Sequence, residues 1–284
     1  GLYKVSYSAV YFLSGTDRSA YTGKIQTNST GSFVDDIYGG SVGYTRGVAS
    51  SGILHGALSS STILELDTKD AIKFVSTDQN NDDHTATNYH LDVEYIGTSS
   101  SANVLRVYNA TVGLDLDVGT YSDTGGENEV FIDWDTSDEI GSHFTFSGTP
   151  STPTEEITVN ISGVYHISYG IDSDQVGSNN QRFGQKTRVE VQTGGIGDWN
   201  NAKACFGDSF ARGLSSGEHY TATSASSCML ELEISDKIRI VSAHESDPNK
   251  STKGTHYVQI LAEAQVHDDI MIQRRDSLIL KVPE

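Results

Sequence analysis

Alternation of apolar and polar residues with period two recurs along this chain. Tyr3, Val5, Tyr7 and Ala9 alternate with Lys4, Ser6 and Ser8. Ile63 to Leu66 and Ala71 to Val75 form two short apolar runs around a turn, and Val189, Val191, Leu230, Leu232, Ile238 and Ile240 repeat the theme. Side chains two apart share one face of a strand, so each run offers an apolar face to a core. No long stretch carries the i, i+3, i+4, i+7 spacing of an amphipathic helix. The runs are short, rich in β-branched and aromatic residues, and bounded by Gly, Ser, Asn and Asp. That pattern predicts an all-β sandwich or barrel.

The chain also repeats itself. Gly1-Leu2-Tyr3-Lys4-Val5-Ser6-Tyr7 matches Gly163-Val164-Tyr165-His166-Ile167-Ser168-Tyr169. Tyr44-Thr45-Arg46-Gly47 matches Phe210-Ala211-Arg212-Gly213. Leu64-Glu65-Leu66-Asp67, Asp70 and Ile72-Lys73-Phe74-Val75-Ser76 match Leu230-Glu231-Leu232-Glu233, Asp236 and Ile238-Arg239-Ile240-Val241-Ser242. A period this long predicts two tandem domains, not a solenoid of short repeats. The expected boundaries are a first domain over 1–97, a linker over 98–103, a second domain over 104–268 and a tail over 269–284. The first copy starts at its Gly-Leu-Tyr strand and lacks the strands that precede Gly163 in the second. Those strands are expected in an upstream segment or from another chain, since half a sandwich exposes an edge and an apolar face. The tail carries a short apolar strand, Ser277 to Val282, that could add to a neighbouring sheet edge.

The order of the second copy resembles the tumour-necrosis-factor-like jelly roll, in particular the globular heads of complement and related bacterial and viral modules. The resemblance rests on Phe131 to Trp134, His143-Phe144-Thr145-Phe146, Glu156 to Val159, the Gly163 to Tyr169 strand, and the hairpin Leu230-Glu231-Leu232 to Asp236-Lys237-Ile238. The family's glycine before the hairpin aspartate is Ser235 here, and Lys69 in the first copy. The resemblance implies tandem antiparallel jelly-roll β-sandwiches and a homotrimer. It also implies that the aromatic face carrying Tyr3, Tyr7, Tyr165 and Tyr169 is the subunit interface.

Charge narrows the partners. Lys+Arg total 19 against 38 Asp+Glu, a formal net charge of −19 in 284 residues. Nucleic acid as a partner is disfavoured, because phosphate binding needs clustered cations. Membrane insertion is not expected either, as no apolar run approaches the ~20 residues of a spanning helix.

Candidate chemistry is sparse. No Gly-x-Ser-x-Gly elbow, P-loop or dinucleotide fingerprint occurs, and the chain is not expected to be an enzyme. No cofactor is expected; calcium is the one possibility, because Asp133, Asp135 and Asp138 form an oxygen-rich loop of the kind hard cations favour. Solvated turn acids are the plainer account of the same residues. Cys205 and Cys228 leave a disulfide and two buried thiols both open, with a slight lean to free thiols. Phe33, Tyr38 and Trp199 lie in polar loops, where aromatic rings stack on sugars or anchor protein contacts.

The function expected is a non-enzymatic structural and recognition protein on the surface of a virus particle. Its partners would be itself, other virion structural proteins, and a host-surface glycan or protein. The alternative is a secreted or cell-surface bacterial adhesion module.

Overall fold

The computed structural model describes residues 1–13, 18–29, 31–46, 54–78, 84–98, 103–109, 115–116, 129–175, 182–212, 221–245, 250–252 and 256–262. The tail over 269–284, most of the linker and the strand expected at Ser277 to Val282 lie outside them. Among the described residues, every regular element is a strand apart from a single 3-10 turn at Thr193–Gly195. No helix among the described residues is long and apolar enough to cross a membrane.

The N-terminal half holds β1 (Leu2–Leu13), β2 (Arg18–Asn28), β3 (Val34–Asp35), β4 (Ser41–Arg46), β5 (Leu54–Glu65), β6 (Ala71–Asp78) and β7 (His84–Gly97). The C-terminal half begins with β8 (Val104–Asn109), β9 (Asp115–Leu116), β10 (Val130–Phe131), β11 (Thr136–Ile140), β12 (Phe144–Thr145) and β13 (Ile157–Val159). It continues with β14 (Gly163–Gln175), β15 (Arg182–Gln192), β16 (Asn200–Arg212), β17 (Thr221–Leu232), β18 (Lys237–Glu245), β19 (Lys250–Thr252) and β20 (His256–Ala262).

In the C-terminal half the pairing is nested. β8 pairs with β20, β13 with β18, β14 with β17 and β15 with β16, all antiparallel. The first and third of these pairs lie in one sheet and the second and fourth in the other. A chain folded back on itself in this way and rolled into two sheets is a jelly roll. The N-terminal half shows the inner part of the same nest: β1 with β5, β2 with β4, then β7 beside β1 and β6 beside β2. Among the described residues β7 has no second neighbour.

Period two determines what the core contains. Tyr165, Ile167, Tyr169 and Ile171 alternate along β14 into a core with Trp134, Ile157, Val189, Ile240, Val258 and Ile260. Val5, Tyr7, Ala9 and Tyr11 do the same along β1, against Tyr21, Ile25 and Leu58. The oligomer-interface expectation therefore needs correction. Tyr7, Tyr165 and Tyr169 are fully enclosed and point into the two cores, and Tyr3 packs against the N-terminal core beside Tyr95. Alternation shows that these side chains share a face; the burial of their bulk makes it the inner one.

Two further readings change. Cys205 and Cys228 are joined in a disulfide with Cα atoms 5.4 Å apart, against the lean to free thiols. The bridge ties β16 of one sheet to β17 of the other. The hairpin turns are also informative. Lys69 and Ser235, which stand where the resemblance expects glycine, adopt φ of 82° and 71°. The same turn is built twice: Asp67 N donates to Asp70 Oδ2 and Glu233 N to Asp236 Oδ2.

Candidate functional site

A continuous set of polar contacts between distant residues lies along the seam where the two halves meet. β3 is two residues long, and Asp36 N donates to Ile25 O just beyond it. Gly39 then passes so close to β2 that a Cβ there would lie 3.0 Å from Ile25 Cβ. This tight return directs Tyr38 out of its own sheet and into the other half, where it is 0% exposed. Its hydroxyl donates to Asp138 Oδ2 at 2.8 Å. The Arg106 guanidinium lies over its ring at 4.3 Å, and Tyr108 and Tyr257 meet it edge-on. Loss of hydration pushes the Tyr38 hydroxyl far above its ordinary pKa.

The neighbouring contacts have the same character. Arg106 Nη2 pairs with Asp36 Oδ1 at 3.3 Å, and Thr62 donates to the other oxygen at 2.6 Å. Burial raises the Asp36 carboxyl above its ordinary value despite both partners. The Gln259 amide donates to Thr62 Oγ1 and accepts from Ile63 N. Ser61 meets Ser168 at 3.0 Å, Ser60 meets Tyr257 at 2.8 Å, and Val42 N donates to Thr223. Lys4 Nζ lies 3.3 Å from His166 Nε2, and desolvation followed by this charge lowers the imidazole to about 4. Thr223 in turn donates to Asp172, whose carboxyl is pushed up to about 7 by burial. One end of the seam is apolar: Leu2, Ile63 and Ile96 pack against Val104 and Leu261. In its middle a cavity of about 210 Å³ is lined by hydroxyls of both halves, among them Ser6, Ser60, Ser61, Ser168, Ser226 and Ser227.

The residues singled out from sequence fall in different places. Tyr38 and Asp138 meet each other, although one was expected to stack on a ligand and the other to bind calcium. Phe33 is the exposed loop aromatic, with Lys73 Nζ 4.1 Å from its ring centre. Trp199 is half covered by Arg239, which also lies over Phe131. Asp135 is buried and accepts from Thr136, so the three loop acids do not converge. No group of three or more metal-ligating side chains occurs among the described residues.

Sequence reading missed Arg106, Asp36, Thr62 and Gln259, the polar centre of the seam. Thr62 carried a faint signal, as the repeat that aligns Leu64 with Leu230 aligns it with Cys228. The missed ion pair of Arg188 with Glu129 and Glu190, joined by Arg239, lies within the C-terminal half.

No family model and no curated protein matches the chain. Among solved structures, murine APRIL at pH 5.0 is similar at 13% identity and a TM-score of 0.36, over 57% of this chain and 99% of that one. The Eiger TNF from S. frugiperda is similar at 12% identity and a TM-score of 0.37, over 59% of this chain and 96% of that one. The jelly-roll assignment rests on the nested strand pairing and not on these likenesses.

Proposed function

We propose that the chain is a non-enzymatic structural and recognition protein of the outer surface of a virus particle, working as a fibre, spike or decoration through self-association. In this reading the N-terminal half is a partial copy of the C-terminal jelly roll. The observation that carries it is the seam. The N-terminal half contributes the β5 edge, with Ser60, Ser61, Thr62 and Ile63. The C-terminal half contributes a sheet face, with Ser168, Tyr257, Gln259 and Arg106. By the repeat, the matching edge on the C-terminal half is Ser226 to Met229, and Met229 stays 48% exposed where Ile63 is 3% exposed. The contact joins unlike surfaces, and the corresponding C-terminal edge at Met229 and the N-terminal face of β7 stay exposed, which is the geometry of a heterologous, ring-forming interface.

The non-enzymatic part of the reading draws support from how the buried charges are used. Asp36 is spent on Arg106 and Thr62, and Arg188 on Glu129 and Glu190. The homo-oligomer expected is a trimer, and its recognition surface would be the loop around Phe33.

Protein mapping of native source material tests the location. Recovery in stoichiometric amounts with capsid and portal proteins supports the proposal. Recovery with secreted or envelope proteins and no capsid proteins overturns it and favours a bacterial adhesion module. Light scattering tests assembly: a species near three times the 30.6 kDa chain mass is expected, and a monomer at all concentrations refutes self-association.

A further inference from the structure

β7, 14 residues long, is exposed at every position from Asn88 to Tyr95. Tyr89, Leu91, Val93 and Tyr95 alternate along it and are 76%, 40%, 49% and 58% exposed. Their register explains why this is unusual. They lie opposite Ala9, Tyr7, Val5 and Tyr3 of β1 and point to the same side, which is the core side. The matching positions on β20 are Val258 and Ile260, set opposite Tyr169 and Ile167 on β14, and both are fully buried. Beside them the sheet continues into β8, whose Leu105 and Val107 pair with Ile260 and Val258 and extend the same core. β7 thus offers a free strand edge and an uncovered apolar stripe, and the protein itself shows the kind of segment that fills such a place.

We infer that residues 278–282 of the same chain dock as an antiparallel strand on the free edge of β7. The inference rests on the reading of the halves as copies, and not on a virion location. Three observations select this occupant. The first is sequence. β8 opens with Val104-Leu105-Arg106-Val107, and the tail carries Ile279-Leu280-Lys281-Val282, the same order of apolar and basic residues. Leu278, Leu280 and Val282 share one strand face, as a core-covering strand requires.

The second is charge. Transferring the β8–β20 register places Leu280 opposite Val93, Val282 opposite Leu91, and Lys281 opposite Asp92. On that face Asp92 is flanked by His90, with which it pairs at 3.3 Å, and by Glu94; Lys4 of β1 lies beside Glu94. A cation set among these groups on a sheet face is favourable.

The third is reach. The chain leaves β20 at Ala262, whose N–H donates to Asn103 O, while Leu261 packs in one cluster with Ile96 of β7. The tail therefore starts beside the end of β7 at which an antiparallel strand must enter. Residues 263–278 span roughly 50 Å when extended, far more than this short path needs.

Paired cysteines in the full chain test the inference. Val93→Cys with Leu280→Cys is expected to oxidise to an intrachain disulfide, found by peptide mapping in the monomer fraction. Val93→Cys with Ile279→Cys, one residue out of register and on the opposite face, is expected to stay open. The absence of a Val93–Leu280 link overturns the inference. So does a link found only between two chains, which assigns the tail to a second copy. Equal linking in both registers overturns the repeat-derived register, and with it the copy reading, while a negative proteomic result leaves the inference standing. A second measurement is independent of cysteine chemistry. Removing residues 277–284 is expected to speed amide exchange across 89–95 by about tenfold or more, and unchanged exchange overturns the docking. Asp92→Lys should lower the linking yield and Lys281→Asp should restore it.

Discussion

Replacing Tyr38 by alanine tests whether the seam makes the two halves one folding unit. The ring is wholly enclosed, and most of what encloses it belongs to the other half: Arg106, Tyr108, Asp138 and Tyr257. A buried aromatic truncated to alanine costs about 3–5 kcal/mol. The guanidinium on its face contributes roughly 1–2 kcal/mol of that where it is shielded from water. The hydroxyl contributes about 1 kcal/mol, so Tyr38→Phe should be the milder change. The assay is urea unfolding followed by two probes. Both tryptophans, Trp134 and Trp199, lie in the C-terminal half, so indole fluorescence reports that half alone. Circular dichroism reports all strands. The wild-type transitions should coincide. In Tyr38→Ala the dichroism transition should move to lower urea while the fluorescence transition moves less. A double-mutant cycle with Arg106→Met should return a coupling of about 1 kcal/mol. Coincident transitions in Tyr38→Ala, with a loss under about 1 kcal/mol, would refute the coupling argument.

Lys69→Gly and Ser235→Gly should each stabilise the protein. Relief of a left-handed backbone contributes about 1–2 kcal/mol and the entropy of glycine takes back about 0.5–1, leaving a net rise of about 0.5–1 kcal/mol in urea unfolding. Cys205→Ala with Cys228→Ala should destabilise by about 3 kcal/mol, given a sequence separation of 23 residues, measured under non-reducing conditions. Arg188→Met strands the buried carboxylate of Glu129, leaves Glu190 to Arg239 alone, and should cost about 3–5 kcal/mol, read from the thermal midpoint. The seam should respond to pH through two opposed groups. His166 titrates near 4 in the fold and at 6.5 unfolded, so its contribution is lost as pH falls through that window. Asp172 holds its proton up to about 7 against 3.8 unfolded, so its contribution is lost as pH rises from about 4 to 7. His166→Gln should therefore make stability fall more steeply with rising pH between 4 and 7, and Asp172→Asn should do the reverse; urea midpoints across that range check both signs.

Period two and the repeat made β1, β14 and the β5–β6 and β17–β18 hairpins legible, because each is determined by local alternation and a local turn. The alternation also placed His166 and Ser168 opposite Tyr165 and Tyr169. It could not say which face is inward, and the resemblance supplied the wrong answer: the aromatic side is core and the small polar side is the seam. Around Phe131 to Trp134 and His143 to Phe146 the strands are shorter than the apolar runs suggest. In the fold Trp134 forms an isolated bridge with Thr154, and β12 is two residues long. Tyr38 was unreadable for another reason. Its environment comes from Arg106 and Tyr257, far away along the chain, and a tyrosine in a Gly-rich loop has the same local sequence whether it meets water or a neighbouring sheet.

The covalent link between the two sides of the seam has a kinetic consequence. Two separate chains meeting through so polar a surface would form and dissolve with concentration. On one chain each partner sees the other at an effective concentration in the millimolar range, set by a linker of a few residues and not by expression level. The first contact of any assembly is then made as the chain folds and persists on dilution. In the proposed assembly only the later contacts, through the exposed edge at Met229 and the face of β7, would depend on how many chains are present. Assembly would begin from a ready-made nucleus instead of from a rare collision.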